Sequence, residues 1–266
     1  MTDLELAEEA ARAAAGVVRR WFGQVGQPTM KGRVDPVTVA DREADRTIVD
    51  LIRAERPQDS FLTEESGRSG GESRRLWIVD PLDGTINFLH SVPHVAISIA
   101  LHVDDSPRVA VIADVFRDEL FYAEAGKGAH VDGSPIGVSN VTLLEESLVV
   151  TGFPYDRQEH AFEYARTLGG VLERVQGIRR AGSAALDFAF VAAGRYEAFW
   201  EYQLAPWDVA AGILLVREAG GIVVDHRGTP FRTGGPVVVA GAEVVVQQLL
   251  PIIRSHLPPH VAATGS

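Results

Sequence analysis

The sequence predicts a mixed fold, an α+β portion followed by an α/β portion, and three observations carry that reading. Two stretches of helical spacing open the chain, and short extended segments parted by turn residues follow them. Near Ser139 the pattern changes to alternating strand and helix. The organisation expected is an N-terminal portion over residues 1–138, a C-terminal portion over 139–258 and a flexible tail over 259–266 rich in Pro, Gly and Ser.

Residues 3–22 place Leu6, Ala10, Ala13, Val17 and Trp21 on one helical face. Residues 41–56 do the same with Ala44, Ile48, Leu51 and Ile52, and Pro57 stands just beyond the end. Between them, residues 23–37 are rich in Gly and Pro and read as a mobile loop. Extended segments are predicted at 60–63, 76–79, 96–103, 109–115 and 120–125. The turn residues Asp104-Asp105-Ser106-Pro107 and Arg117-Asp118 suit antiparallel pairing. In the second portion, strands are predicted at 147–151, 198–200, 221–225 and 237–240. Helices are predicted there at 160–175, 183–193, 207–219 and 242–256. No internal repeat is visible.

Composition narrows the function. At 266 residues the chain can bury an ample core, and 46% hydrophobic with 23% charged residues is ordinary globular usage. A net charge of -11 would repel nucleic acid and an anionic membrane surface, so neither is expected as a partner. The absence of cysteine excludes disulfides, thiolate nucleophiles, iron–sulfur clusters and thiolate-bound zinc. The first residues lack a basic-then-apolar signal pattern, and no apolar run nears the roughly 18 residues of a membrane span, so a cytoplasmic protein is expected.

The chemistry concentrates in Asp80-Pro81-Leu82-Asp83-Gly84-Thr85, which issues from the apolar run Leu76-Trp77-Ile78-Val79. Two carboxylates at a strand end favour a hard divalent cation, and amides opening a helix favour phosphate. Glu64-Glu65, Glu201 and Asp208 each follow or open a predicted element in the same way. Gathered without cations, these acids would repel one another and raise each other's pKa; gathered with two or more, they form a metal site. Taken singly, each has a plainer reading. Asp-Pro-x-Asp-Gly is good turn chemistry, Glu64-Glu65 suits a solvated loop, and Asp208 suits the first turn of a helix. Gly182-Ser183-Ala184 is a second candidate anion site, or an ordinary N-cap by Ser183.

Other phosphatase chemistries fit poorly. An aspartyl-phosphate mechanism wants one residue between its two acids, whereas Pro81 and Leu82 separate Asp80 from Asp83. There is no Gly-x-Ser-x-Gly elbow and no Walker A loop. A water nucleophile activated by metal remains.

Several segments together resemble the inositol monophosphatase family. They are Thr63-Glu64-Glu65-Ser66, Trp77 through Phe88, Gly152-Phe153-Pro154-Tyr155, Gly182 through Asp187, and Pro206-Trp207-Asp208-Val209-Ala210-Ala211-Gly212. The resemblance spans about residues 31–221 in the family's order and approximate spacing. It implies a layered αβαβα sandwich of the inositol monophosphatase and fructose-1,6-bisphosphatase type, usually a homodimer. Two departures are visible. The segment at 31–35, corresponding to the family's mobile metal-sensing loop, is a residue shorter than in animal members, and Thr63 stands where a glycine commonly precedes the two glutamates.

Carried onto this chain, the resemblance implies a first Mg²⁺ on Glu64, Asp80 and the Leu82 carbonyl, and a second on Asp80, Asp83 and Asp208. A third, looser ion would sit near Glu64, and Mn²⁺ could replace Mg²⁺. A water on the first ion would attack phosphorus in line, oriented by Thr85, whose hydroxyl Asp41 positions. The second ion would stabilise the departing alkoxide. Phosphate would meet the amides of Gly84 and Thr85. Substrate hydroxyls would meet Asp83, Gly182, Ser183, Ala184, Glu201 and Asp208.

The expected activity is that of a phosphoric monoester hydrolase acting on a small phosphorylated polyol or amino alcohol. Asn87-Phe88-Leu89-His90 and Glu201 with Gln203-Leu204 look most like the inositol phosphatase branch. Histidinol phosphate, with Glu201 facing the amine, and fructose 1,6-bisphosphate are the alternatives. A nucleotide would want a basic or aromatic cradle, for which only Arg179 and Arg180 are at hand. A dimeric regulator that keeps the fold and works by binding a partner is the reading of a different class.

Overall fold

The computed structural model describes residues 1–24, 29–30, 36–71 and 73–263. Helix α1 (Asp3–Trp21) starts at a Thr2–Glu5 capping box. Two short strands, β1 (Thr29–Met30) and β2 (Pro36–Val37), then pair antiparallel with each other. The stretch read as a loop over 23–37 thus contains paired backbone, while residues 31–35 lie outside the described residues. Helix α2 (Val39–Glu55) starts two residues earlier than its periodicity suggested, because Thr38 caps it.

Eight strands form the first sheet. They are β3 (Ser60–Thr63), β4 (Gly67–Ser69), β5 (Arg75–Asp83), β6 (Ala96–Val103), β7 (Ser106–Asp114), β8 (Glu119–Glu124), β9 (Ala129–Val131) and β10 (Ser134–Ile136). Their order is β10-β9-β8-β7-β6-β5-β3-β4, and only β3 and β5 run parallel. The β6–β7 hairpin turns through Asp104 and Asp105, both at positive φ (50° and 59°), as a two-residue type I′ connection requires. A short helix α3 (Thr85–Leu89) follows β5 directly.

The second half holds α4 (Arg157–Leu172), α5 (Ala184–Ala192), α6 (Pro206–Glu218), α7 (Glu243–Ser255) and α8 (Pro259–Ala263). Its five-stranded sheet has the order β12-β11-β13-β15-β14, from β11 (Leu148–Thr151), β12 (Gly177–Arg179), β13 (Ala198–Tyr202), β14 (Ile222–Val224) and β15 (Val237–Gly241). Helix α8 corrects the expectation of a flexible tail over 259–263. Val261 is fully buried in the core under α7, and His260 bonds to Glu163 of α4.

Strand alternation divides the cores. Trp77, Val79, Ile97, Ile99, Val109 and Val111 face α1 and α2, where Leu6, Ile48 and Ile52 complete the packing. Each of those aliphatic side chains stabilises the fold by about 1.5–3 kcal/mol on burial. Their neighbours Ile78, Ala96, Ala100, Ala110 and Ile112 face the other way, onto α5 and α6. Those two helices also pack on the inner face of the second sheet through Phe199, Val238 and Ala240. Helices α4 and α7 cover its outer face. The result is five layers, αβαβα, as the resemblance implied. Among the described residues no helix is long and apolar enough to cross a membrane.

Candidate active site

Two details of strand pairing gather the acids. In the parallel β3–β5 pair, Thr63 faces Val79, and the Glu64 amide continues the ladder by donating to the Val79 carbonyl at 3.1 Å. Glu64 therefore stands one step past the last rung, beside Asp80. In the β5–β6 pair, Asp80 faces Ser98 and Asp83 faces Ala96. Three steps on one strand against two on the other is a β-bulge. Residues three apart on a regular strand point to opposite faces; the extra residue lets Asp80 and Asp83 line the same cleft. The first four residues of the hexapeptide, Asp80–Asp83, are the bulged end of a strand rather than a turn.

Gly84 makes the exit possible. It caps α3 at φ 98°, and a β-carbon there would press on the His94 and Gly182 carbonyl oxygens at 3.0 and 3.2 Å. Asn87, one turn into α3, donates from Nδ2 to the carbonyls of His94 and Ala181, both at 2.9 Å. That clamp holds the opening of α3 against the loop before α5. Ser183 caps α5, and its hydroxyl donates to Asp83 Oδ2, which also accepts from the Ala185 amide at 2.8 Å. Asp83 thus joins the first sheet to the middle helix layer.

Thr85 sits behind the acids. Its hydroxyl lies 3.1 Å from Asp41 Oδ1 and 3.2 Å from the Leu82 carbonyl. Asp41 is held by its own helix start: Oδ2 accepts from the Thr38 amide at 2.8 Å and from the Thr38 hydroxyl. The capping box of α2 thereby aims Asp41 at Thr85. Asp208 plays the matching part in α6, accepting from the Ala205 amide at 2.7 Å with Pro206 setting the first turn.

A cleft of about 380 Å³ is lined by Glu64, Asp80, Leu82, Asp83, Gly84, Thr85, Gly182, Ser183, Ala184, Glu201 and Asp208. Of the residues expected at the site, Glu65 and Asp41 stay out of the cleft wall, Asp41 one hydrogen bond behind Thr85. Burial raises Asp80 well above the ordinary carboxylate range, and the charges of Glu64, Asp83 and Asp208 raise it further. Asp208 is raised in the same way, by burial and then by Asp83. Burial pushes Glu201 up to about 8, with Arg180 opposing the shift. Four carboxylates and one backbone carbonyl make an all-oxygen donor set whose members destabilise one another's charge. Hard divalent cations fit it.

The cleft also uses residues that the sequence reading did not place in it. Asp187, 1% exposed on α5, is raised well above its usual range by burial and by Glu201, and its Oδ1 lacks a hydrogen-bond partner. A lone acid on an otherwise apolar helix, four residues after its cap, was the available signal. Arg180, considered only for a nucleotide, is the cation facing Glu201 and Asp187. Tyr155, Asp156 and Arg157 form part of the rim.

The model of the inositol monophosphatase family matches residues 2–257. The chain is 42% identical to the Nus factor SuhB of Salmonella typhimurium over 259 residues, 96% of each chain. It is 42% identical to the inositol-1-monophosphatase of Synechocystis sp. over 93% of this chain and 87% of that one. The solved IMPase of Thermotoga maritima superposes with a TM-score of 0.90 at 33% identity, covering 97% of this chain and 98% of that one.

Proposed function

This chain belongs to the inositol monophosphatase family, and on that premise we propose that its cleft hydrolyses myo-inositol monophosphate to inositol and phosphate with Mg²⁺ as the resident cation. One observation carries the reading: the bulge in β5 turns Asp80 and Asp83 into a single cleft, with Glu64, Asp208 and the Thr85–Asp41 pair around them.

Glu64, Asp80 and the Leu82 carbonyl would hold one cation, and Asp80, Asp83 and Asp208 a second, with Asp80 shared. Two or three ions are proposed in all, with Mn²⁺ a working substitute. Bound cations supply neutralisation of phosphoryl charge and acidify water, which is most of what phosphoryl transfer needs. The protein's own groups do the rest. With its proton directed to Asp41, Thr85 Oγ1 keeps lone pairs for orienting an attacking water. The first amides of α3, at Gly84 and Thr85, face no helical acceptor and suit phosphate oxygens. Glu201 and the Gly182–Ala184 turn suit the ring hydroxyls, and Asn87 keeps that turn at its distance from α3.

The experiment is a substrate panel on purified protein with Mg²⁺. Inositol 1-phosphate is expected to turn over fastest. Faster hydrolysis of histidinol phosphate or fructose 1,6-bisphosphate would overturn the substrate, and no hydrolysis of any ester would overturn the enzyme. A homodimer is also proposed, checked by light scattering on the eluted protein.

A second reading rests on the name Nus factor SuhB, carried by relatives 41–42% identical over nearly the whole chain. It assigns the fold a binding role, with or without catalysis. A variant lacking phosphatase activity, Asp83→Asn, that still complements loss of this chain in its host would favour it.

A further inference from the structure

A second cluster, on the outer side of the five-stranded sheet, has the composition of a different kind of metal site. Asp156, His160 and His260 each offer a ligand atom, and the three atoms lie within 4.8 Å of one another. Asp156 precedes α4, His160 sits at a kink in its first turn (φ -118°, ψ 20°), and His260 arrives from α8. The two imidazoles stack with ring centres 3.7 Å apart and planes 20° from parallel.

Glu163 sets their tautomers. Its carboxylate oxygens lie 2.8 Å from Nδ1 of His260 and 3.4 Å from Nδ1 of His160. A carboxylate there keeps the ring proton on Nδ1 and leaves Nε2 with a bare lone pair, the arrangement found behind metal-bound histidines. At His260, that Nε2 lies 3.0 Å from the Tyr164 hydroxyl oxygen and 3.6 Å from Asp156 Oδ2. The Tyr164 proton is engaged elsewhere, donated to Asp156 Oδ1 at 2.8 Å. An imidazole nitrogen, a phenol oxygen and a carboxylate therefore converge, with the phenol's one proton spent on Asp156 rather than on His260.

We propose that Asp156, His160 and His260 bind one transition cation of the Zn²⁺ class, in a site distinct from the oxygen-only cluster of the cleft. Imidazole nitrogen suits Zn²⁺, Co²⁺, Ni²⁺ and Cu²⁺, whereas Mg²⁺ prefers carboxylate and water, so the two sites sort cations by ligand type. Zinc bonds of this kind place ligand atoms roughly 3.3 Å apart; His260 Nε2 and Asp156 Oδ2 already stand 3.6 Å apart, and binding would turn the His160 ring out of the stack to complete the set. The bound ion ties α8 to the start of α4, where Tyr155, Asp156 and Arg157 form the cleft rim and Gln203 Nε2 reaches Asp156 at 3.3 Å. The alternative filling is a proton: a doubly protonated His260 bridging Glu163 and Asp156 needs no metal.

The test is calorimetric titration of the full chain with Zn²⁺ in excess Mg²⁺, which saturates the oxygen ligands of the cleft. One additional Zn²⁺ per chain is expected, with affinity falling at least about tenfold in His160→Ala and in His260→Ala, and about tenfold in Glu163→Gln. Electron paramagnetic resonance of Cu²⁺ on the unmutated protein, again in excess Mg²⁺, is expected to show coupling to two imidazole nitrogens and needs no variant to fold. Absence of Zn²⁺ binding, binding by both histidine variants as tight as by the unmutated protein, or a Cu²⁺ spectrum without nitrogen coupling would overturn the site.

Discussion

The carboxylate of Glu201 lies directly over the α-carbon of Gly152, so a β-carbon added at residue 152 would overlap it. The two residues follow the last rung of the parallel β11–β13 pair, where Thr151 faces Trp200. Glycine is required there because Glu201 fills the space a side chain would take. Gly152→Ala is therefore expected to displace Glu201 and raise KM for a sugar phosphate at least about tenfold. Mg²⁺-induced thermal stabilisation should be unchanged, since Glu201 is not among the proposed metal-holding acids. Kinetics and thermal shift on the same preparation check both halves.

In the proposed mechanism Thr85 and Asp41 would act through a proton rather than through a cation. Replacing Thr85 by Ala is expected to lower kcat about 100-fold with Mg²⁺ affinity nearly unchanged, and Thr85→Ser to restore most of it. Asp41→Asn should resemble Thr85→Ala, because its other partners are the cap of α2 rather than the cleft. A Thr85→Ala enzyme with normal kcat would remove the residue from the chemistry.

Much of this site was legible in the sequence because its acids stand at the ends of apolar runs. Asp80, Asp83, Glu64 and Asp208 could be read that way, and so could Ser183 as a cap. The bulge in β5 was not legible, since Pro81-Leu82 between two acids looks the same in a turn and in a strand that gains a residue. Asp41 is legible at a helix start, but its cap Thr38, ahead of the periodic stretch, is not. The Asp187–Glu201–Arg180 group exists only once α5, β13 and the loop before α5 meet. Helix α8 was hidden by composition: Pro, Gly and Ser near the end suggested fraying, whereas Val261 and His260 hold it to the body.

Asp80 is held against its own electrostatics. It is buried beside three other acids, and its carboxylate accepts from the Leu82 amide at 3.0 Å. Asp80→Asn is expected to raise the melting temperature of metal-free protein by about 2–4 °C per kcal/mol of strain relieved. It should also abolish both phosphatase activity and the stabilisation by Mg²⁺. Melting curves in EDTA and in Mg²⁺ decide it. A metal-free variant less stable than the parent would mean that Asp80 is not strained.

The same strain predicts a pH dependence with a definite sign. Glu201 titrates at about 8 in the folded chain against 4.5 for the ordinary group, and Asp80, Asp187 and Asp208 are displaced in the same direction. An acid with a raised folded pKa keeps its proton in the native state while the unfolded chain has lost it. Its stabilising contribution is full below the unfolded value and disappears as pH rises through the folded one. In EDTA, stability should therefore fall between pH about 5 and about 8. Cations bind the deprotonated carboxylates, so Mg²⁺ should oppose the fall and its stabilising effect should grow over that interval. Glu201→Gln removes one contributor and should flatten the EDTA curve without removing the effect of Mg²⁺. Thermal unfolding at stepped pH, with and without Mg²⁺, measures this, and a stabilisation by Mg²⁺ independent of pH would show that the cleft acids are already charged without metal.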